Sequence, residues 1–132
     1  AMMRTLIESP ETWAPEAKLF KTPMDYVCSV LAAAGGPQEV RDYAQALGFL
    51  TSAGQALHGW QTPDGYKTDA ASCLSPEALS RRADLAMAVG RRVPDAQTVM
   101  VWLSPATRTR IAQEPERMHA GLALASPDYM AK

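Results

Sequence analysis

The sequence has 132 residues, of which 47% are hydrophobic and 20% are charged, a composition typical of one globular domain and not of a disordered chain. The 13 basic and 14 acidic residues leave a net charge of -1, so there is no cationic excess to neutralise phosphates and we expect no nucleic-acid partner. No apolar stretch reaches the roughly 20 residues that a membrane helix needs, so we expect no membrane insertion.

The first segment, "AMMRTLIESP", predicts a helix over "MMRTLIE". Its apolar residues have no assured partner, so we expect an exposed apolar surface through which the chain binds another domain or associates with itself. The segment has no apolar run followed by a small-residue cleavage site, so we expect no signal peptide in this chain, and its localisation stays open. Ala1, which precedes two methionines, is interpreted as a tag remnant, and the predicted single helical domain covers residues 2–132.

Proline pairs mark the predicted starts of the helices. The hydroxyl of Ser or Thr accepts a hydrogen bond from an early helical N–H, and Pro at the first helical position loses no bond there. Thr22 with Asp25 three residues later resembles a capping box. Each pair is therefore predicted to begin a helix: Ser9-Pro10, Thr22-Pro23, Ser75-Pro76, Ser104-Pro105 and Ser126-Pro127.

Three longer segments have helical periodicity. Residues 23–34 carry two apolar stripes and few polar residues, which predicts a central helix, and Cys28 on one stripe is expected to face the core. Residues 38–53 predict a half-buried helix, whose inward stripe is Val40, Tyr43, Ala44, Leu47 and Leu50. Residues 76–89 predict a third helix, whose inward residues are Leu79, Ala83, Ala86 and Val89.

The C-terminal third predicts further short helices. Residues 95–103, "DAQTVMVWL", have the apolar run of a strand but no partner strand, so they are interpreted as a short helix. Helices near 105–113 and 116–125 follow, divided by Pro115. Since no second strand pattern occurs, the predicted fold is all-α, an irregular bundle of about seven or eight mostly short helices, many starting at Ser-Pro or Thr-Pro.

The candidate metal ligands and nucleophiles lack the spacing that their chemistry needs. Cys28, His58, Cys73 and His119 match the inventory of a zinc site, but none of them has a close partner in the sequence. We therefore expect no metal, no cofactor and two free, buried thiols. No nucleophile elbow, P-loop or dinucleotide-binding glycine motif occurs, so we expect no catalytic residue in this chain.

The segment "GWQTPDGYK", residues 59–67, gathers aromatic and charged residues around a Pro-Asp-Gly turn. Two interpretations stay open. In the first, the segment is a structural corner, with Trp60 buried between the 38–53 and 76–89 helices and Arg82 bonded to a carbonyl or carboxylate of the loop, Asp64 included. In the second, the loop binds a ligand, and the candidate ligand-binding residues are His58, Trp60, Asp64, Tyr66 and Arg82.

Four motifs follow one another along the chain: "FKTPMDYVCSVLAAAG", "GWQTPDGYK", "LSPEALSRRADLA" and "GLALASPDYM". Their composition, order and intervals resemble the C-terminal part of the bacterial domain-of-unknown-function 1800 family. The residues that fall on typical family positions are Trp60, Thr62, Pro63, Asp64, Gly65, Tyr66, Ser75, Pro76 and Arg82. The chain departs from the family pattern at Gln61, Cys73 and Asp84, where Pro, an aromatic residue and Asn are common.

The resemblance implies that the chain is the C-terminal portion of a larger bacterial protein, since family members are several times longer, or else a short stand-alone relative. The longer members often look exported. The resemblance carries over no biochemical activity. The predicted function is a non-catalytic helical packing or binding module. The alternative is part of an enzyme or ligand-binding site, in which the 58–67 loop and Arg82 complete a pocket with a missing N-terminal portion.

Overall fold

A computed structural model describes residues 2–14, 19–37, 40–61, 63–67 and 69–131, and of residues 40, 70 and 72 it describes the backbone alone. Two predicted features fall outside this range in part. The Thr62 position of the turn lies outside the described residues, and so does the side chain of Val40 in the predicted inward stripe.

The described residues form a chain of helices joined by short turns, which confirms the all-α prediction. Three of the α-helices have only four residues, and the extended structure in this range is one isolated bridge between Phe20 and Ala131. None of these helices is both long and apolar enough to cross a membrane. In chain order the elements are α1 (Met2–Glu8), a 3₁₀ helix (Pro10–Trp13), α2 (Pro23–Ala33), α3 (Val40–Ser52), α4 (Ala70–Cys73), α5 (Pro76–Gly90), α6 (Gln97–Met100), α7 (Pro105–Ile111), α8 (Glu116–Leu124) and α9 (Pro127–Met130).

The proline pairs begin helices as predicted. Three serine hydroxyls, those of Ser75, Ser104 and Ser126, accept a hydrogen bond from a backbone N–H in the first turn of the helix that follows. Thr22 and Asp25 form both bonds of the capping box, each 3.2 Å long. Ser9 is the exception, because it precedes the 3₁₀ helix without capping it. The local rule therefore holds wherever the pair precedes a full α-helix.

The core forms where α5 packs along α8, and α2 packs against α5 and α3. The two backbones come close together at Gly90 and Gly121, since a Cβ added to Gly90 would lie 2.6 Å from the Gly121 Cα and nitrogen atoms. Two glycines thus let the backbones of α5 and α8 touch. The fully buried side chains at the centre include Tyr26, Val30, Val89 and Leu124.

The inward face of α3 was predicted correctly at Leu50, which is buried, but wrongly elsewhere. Tyr43 and Leu47 are 58% and 46% exposed, while Asp42 and Phe49 are buried. Asp42 lies inside because Arg92 approaches it with two nitrogens, the closer pair of atoms being 2.6 Å apart. A prediction that counts apolar residues alone misses a buried face of this kind, because a carboxylate can be buried when a guanidinium neutralises it.

The position of Cys28 was also predicted wrongly. Tyr26, Val27 and Val30 of α2 are buried in the core, whereas Cys28, next to Val27, is exposed. Cys73 is buried, and both thiols are free, as predicted.

Candidate functional site

The 59–67 segment folds back on itself around an aromatic pair. The rings of Trp60 and Tyr66 have centroids 5.0 Å apart and are tilted by 49°. The Trp60 indole nitrogen donates to Asp64 Oδ1 at 3.3 Å, and the Tyr66 hydroxyl donates to the carbonyl of Ala56. Gly65 has a φ of 74°, a conformation that glycine adopts without steric cost. The turn therefore holds the two rings together from within the loop.

Behind this aromatic pair lies a pocket of about 180 Å³. It opens between the start of α2, the end of α3 and α4. The Gln55 amide oxygen accepts the backbone N–H of Met24 at 2.8 Å, which ties the end of α3 to the first turn of α2. The lining residues are Pro23, Ala53, Gly54, Gln55, Trp60, Tyr66, Lys67 and Cys73.

The prediction that Trp60 is buried between the two long helices is wrong. Trp60 is 41% exposed, and its recorded contacts are with Tyr66 and Asp64 of its own loop. A ring that packs on a loop neighbour keeps one face open to solvent. Trp60 is thus part of the pocket wall and not a core anchor.

Arg82 occupies the deepest polar position among the described residues, at 1% exposure. Its guanidinium carbon lies 4.7 Å from the ring centroid of Phe20 and 4.8 Å from that of Tyr26. Its Nη2 donates to the Lys21 carbonyl at 2.8 Å. This acceptor is a carbonyl of the segment before α2, whereas the prediction named a carbonyl or carboxylate of the 59–67 loop.

The environment of Arg82 is apolar, and burial lowers the pKa of its guanidinium. Its Nη1 has no hydrogen-bond partner among the described residues. The two flanking rings compensate this charge in part through cation–π contact. Tyr26 also links three helices, because its hydroxyl lies 3.1 Å from the carbonyl oxygens of both Arg82 and Leu124.

The five predicted site residues thus divide into three groups. Trp60 and Tyr66 line the pocket, and Asp64 holds Trp60 in place. His58 is exposed on the loop and is not among the lining residues, and Arg82 is enclosed between two rings. The pocket has the chemistry of a small binding site, with apolar ring faces beside an amine.

Sequence reasoning predicted two of the eight lining residues, Trp60 and Tyr66, and missed the other six. Lys67 follows Tyr66 in the 59–67 segment, so its place in the pocket could have been predicted from the sequence. Gln55 and Cys73 come from the ends of other elements, and no local pattern points to them. Among the described residues, no cluster of three or more His, Cys, Asp or Glu side chains is arranged to hold a metal ion.

A second feature is an apolar surface formed by α1 and the 3₁₀ helix. Thr12 and Trp13 fold the 3₁₀ helix back onto α1, because their side chains donate to the carbonyls of Leu6 and Ile7 at 2.8 Å and 2.7 Å. No residue of α1 is buried. The exposed apolar residues, here called the N-terminal apolar surface, are Met2, Met3, Leu6, Ile7 and Trp13.

Comparison with known proteins gives one match. A family model described as "Protein of unknown function (DUF1800)" matches residues 1–131, in agreement with the four-motif resemblance. No curated protein and no solved structure matches the chain.

Proposed function

The chain belongs to the DUF1800 family, whose description names no activity, and we propose that it is a non-catalytic helical module that binds an apolar protein surface through its N-terminal apolar surface. The observation that carries this proposal is the exposure of that surface. Met2 and Trp13 are 82% and 70% exposed, although both are large apolar residues.

The apolar residues of α1 occupy one side of the helix. At 100° per residue, Met2, Met3, Leu6 and Ile7 fall within an arc of about 140°. Burying one such side chain is worth about 1.5–3 kcal/mol, so a surface with several of them gains substantially by docking. Contiguous apolar surface of this kind usually marks a site of protein–protein contact.

The chemistry of the surface favours an apolar partner over a charged one. Arg4 and Glu8 are an i,i+4 pair, 3.9 Å apart, so the helix carries no net charge to attract an acidic or basic surface. The Trp13 indole N–H is already bonded to Ile7, so this residue presents its apolar ring. Met and Trp are also enriched at the centres of protein interfaces.

Sedimentation velocity over a concentration series tests this proposal. The wild-type chain is expected to associate and to bind a hydrophobic dye, whereas Ile7→Glu should remain monomeric with reduced dye binding. Leu47→Glu is the matched control, because Leu47 is also an exposed apolar residue on a helix, outside the proposed surface. A monomeric wild type without dye binding would refute the proposal, and so would an equal loss of association in both variants.

The pocket supports a second candidate function, binding of a small ligand with an apolar ring and a negative charge. The Trp60–Tyr66 pair offers ring faces, and Lys67 offers a cation in the same lining. No observation favours a catalytic role for His58, since its loop position is outside the lining.

Benzoate is a suitable probe for this second candidate. In a nuclear magnetic resonance titration, the indole N–H signal of Trp60 should shift, while those of Trp13 and Trp102 should not. Lys67→Gln should weaken the response. Equal shifts of all three indole signals would show non-specific binding and exclude the pocket.

A further inference from the structure

A groove of about 490 Å³ lies between α2 and the segment around α6. Ala32 and Ala33 of α2 and Val99 of α6 give it small, apolar walls. Trp102 stands at its edge and is 77% exposed. The groove is therefore a concave apolar surface with a large aromatic residue at its rim.

We propose that the N-terminal apolar surface of one copy of this chain docks into this groove of a second copy. This inference rests on the proposed function and names the partner. The convex stripe and the concave groove lie on different elements of the same molecule. In this proposal one stripe binds one groove, so the contact is head-to-tail and not a reciprocal two-fold pair. Recognition follows the helix-in-groove mode, in which residues at i, i+3 and i+4 of a helix act as anchors.

The length of α1 favours a groove over a second α1 as its partner. The helix has 7 residues, which corresponds to about 10 Å. Two helices of two turns each would contact each other along one narrow line and bury little surface. A groove surrounds the stripe on more than one side, and small residues such as Ala32 and Ala33 let a helix come close.

Although the helix has no net charge, one ion pair across the contact would orient the docked helix. Arg4 lies at the edge of the apolar stripe, next to Ile7 on the helical wheel. The contact between Arg4 and Glu8 is long and exposed to solvent. Arg4 can therefore leave Glu8 and pair with another carboxylate at little cost in free energy. Asp95 lines the groove and accepts the backbone N–H of Gln97 with Oδ1 at 2.9 Å. An Arg4–Asp95 pair across the contact fits this arrangement.

A head-to-tail contact has a consequence that a two-fold contact lacks. Each copy keeps one free surface after it has bound a neighbour, so association continues beyond the dimer unless a ring closes. Sedimentation of the wild type should therefore show species larger than dimers as the concentration rises.

A complementation experiment tests this geometry. Ile7→Glu disables the helix stripe, and Ala32→Glu disables the groove at a solvent-exposed position of α2. Each variant alone should be monomeric, with a dissociation constant raised roughly tenfold or more. An equimolar mixture should form a dimer that does not grow, because each dimer has used its one intact helix and its one intact groove.

Leu47→Glu again serves as the control and should behave like the wild type, and circular dichroism should show that every variant keeps its helical content. If the mixture stays monomeric, or if Ala32→Glu alone still associates, the head-to-tail contact is refuted. The proposed function survives that result as long as Ile7→Glu abolishes association. If Ile7→Glu has no effect, both proposals are refuted.

Discussion

The contact between Gly90 and Gly121 predicts that a single methyl group will push two helices apart. In Gly90→Ala, the new Cβ would lie 2.6 Å from two backbone atoms of Gly121, whereas ordinary contacts begin at 3.4 Å. The neighbour is backbone, so no side chain can rotate away. Either α5 and α8 separate by close to an ångström, or the end of α5 distorts.

The cost of this change exceeds its benefit. Overpacking of a core costs about 1–3 kcal/mol, and a rigid backbone neighbour places this position at the upper end. Alanine in place of a helical glycine returns about 1 kcal/mol through its higher helix propensity. We therefore expect Gly90→Ala to lower the free energy of unfolding by about 2 kcal/mol, which corresponds to a melting temperature lower by about 8 °C.

Urea denaturation followed by circular dichroism measures this difference. Gly48→Ala is the matched control, because Gly48 lies within α3 and a Cβ there meets no atom within 4 Å. With the propensity gain and no clash, Gly48→Ala should raise the free energy of unfolding by about 0.5–1 kcal/mol. Equal or greater stability of Gly90→Ala would refute the backbone contact between α5 and α8.

Three further predictions concern single side chains. Arg92→Ala should lower the free energy of unfolding by about 2–4 kcal/mol, because it leaves the buried Asp42 carboxylate without its guanidinium, and a double-mutant cycle with Asp42→Ala should reveal the coupling. Burial raises the pKa of Tyr129 to about 12, so the folded state keeps a proton that the unfolded chain releases near pH 10. Stability should then be unaffected by this group below pH 10 and fall by about 1.4 kcal/mol per pH unit between pH 10 and 12, a slope that Tyr129→Phe should reduce in urea titrations. Trp60→Ala should cost only about 1–2 kcal/mol in thermal unfolding, since the ring is 41% exposed; a loss of 4 kcal/mol would show that the ring is a core anchor after all.

The candidate pocket was predictable in part. Trp60 and Tyr66 stand in one short segment around a turn, so their proximity follows from local chain geometry. Gln55 and Cys73 reach the same pocket from the end of α3 and from α4, which are separate in sequence. Their positions in the pocket depend on how the helices pack, and no sequence pattern within either segment predicts that packing.

The starts of α2, α5, α7 and α9 were determined by the sequence itself. Each cap joins a hydroxyl to an N–H three residues later, as in Thr22 with Asp25 and Ser75 with Ala78, so the information is contained in neighbouring residues. The prediction of an all-α fold was also local, because it followed from the lack of a second strand pattern along the sequence.

Only the tertiary structure decided which faces of those helices are buried. Asp42 enters the interior because Arg92, fifty residues away in sequence, neutralises it, and Arg82 enters because Phe20 and Tyr26 enclose its guanidinium. Gly90 meets Gly121 for a similar reason, since two helices distant in sequence come to share one contact. A charged side chain can be buried only when another part of the chain supplies a group that compensates its charge, and two helix backbones can touch only where both helices have a glycine. The periodicity of one helix does not show which distant residue will be that partner.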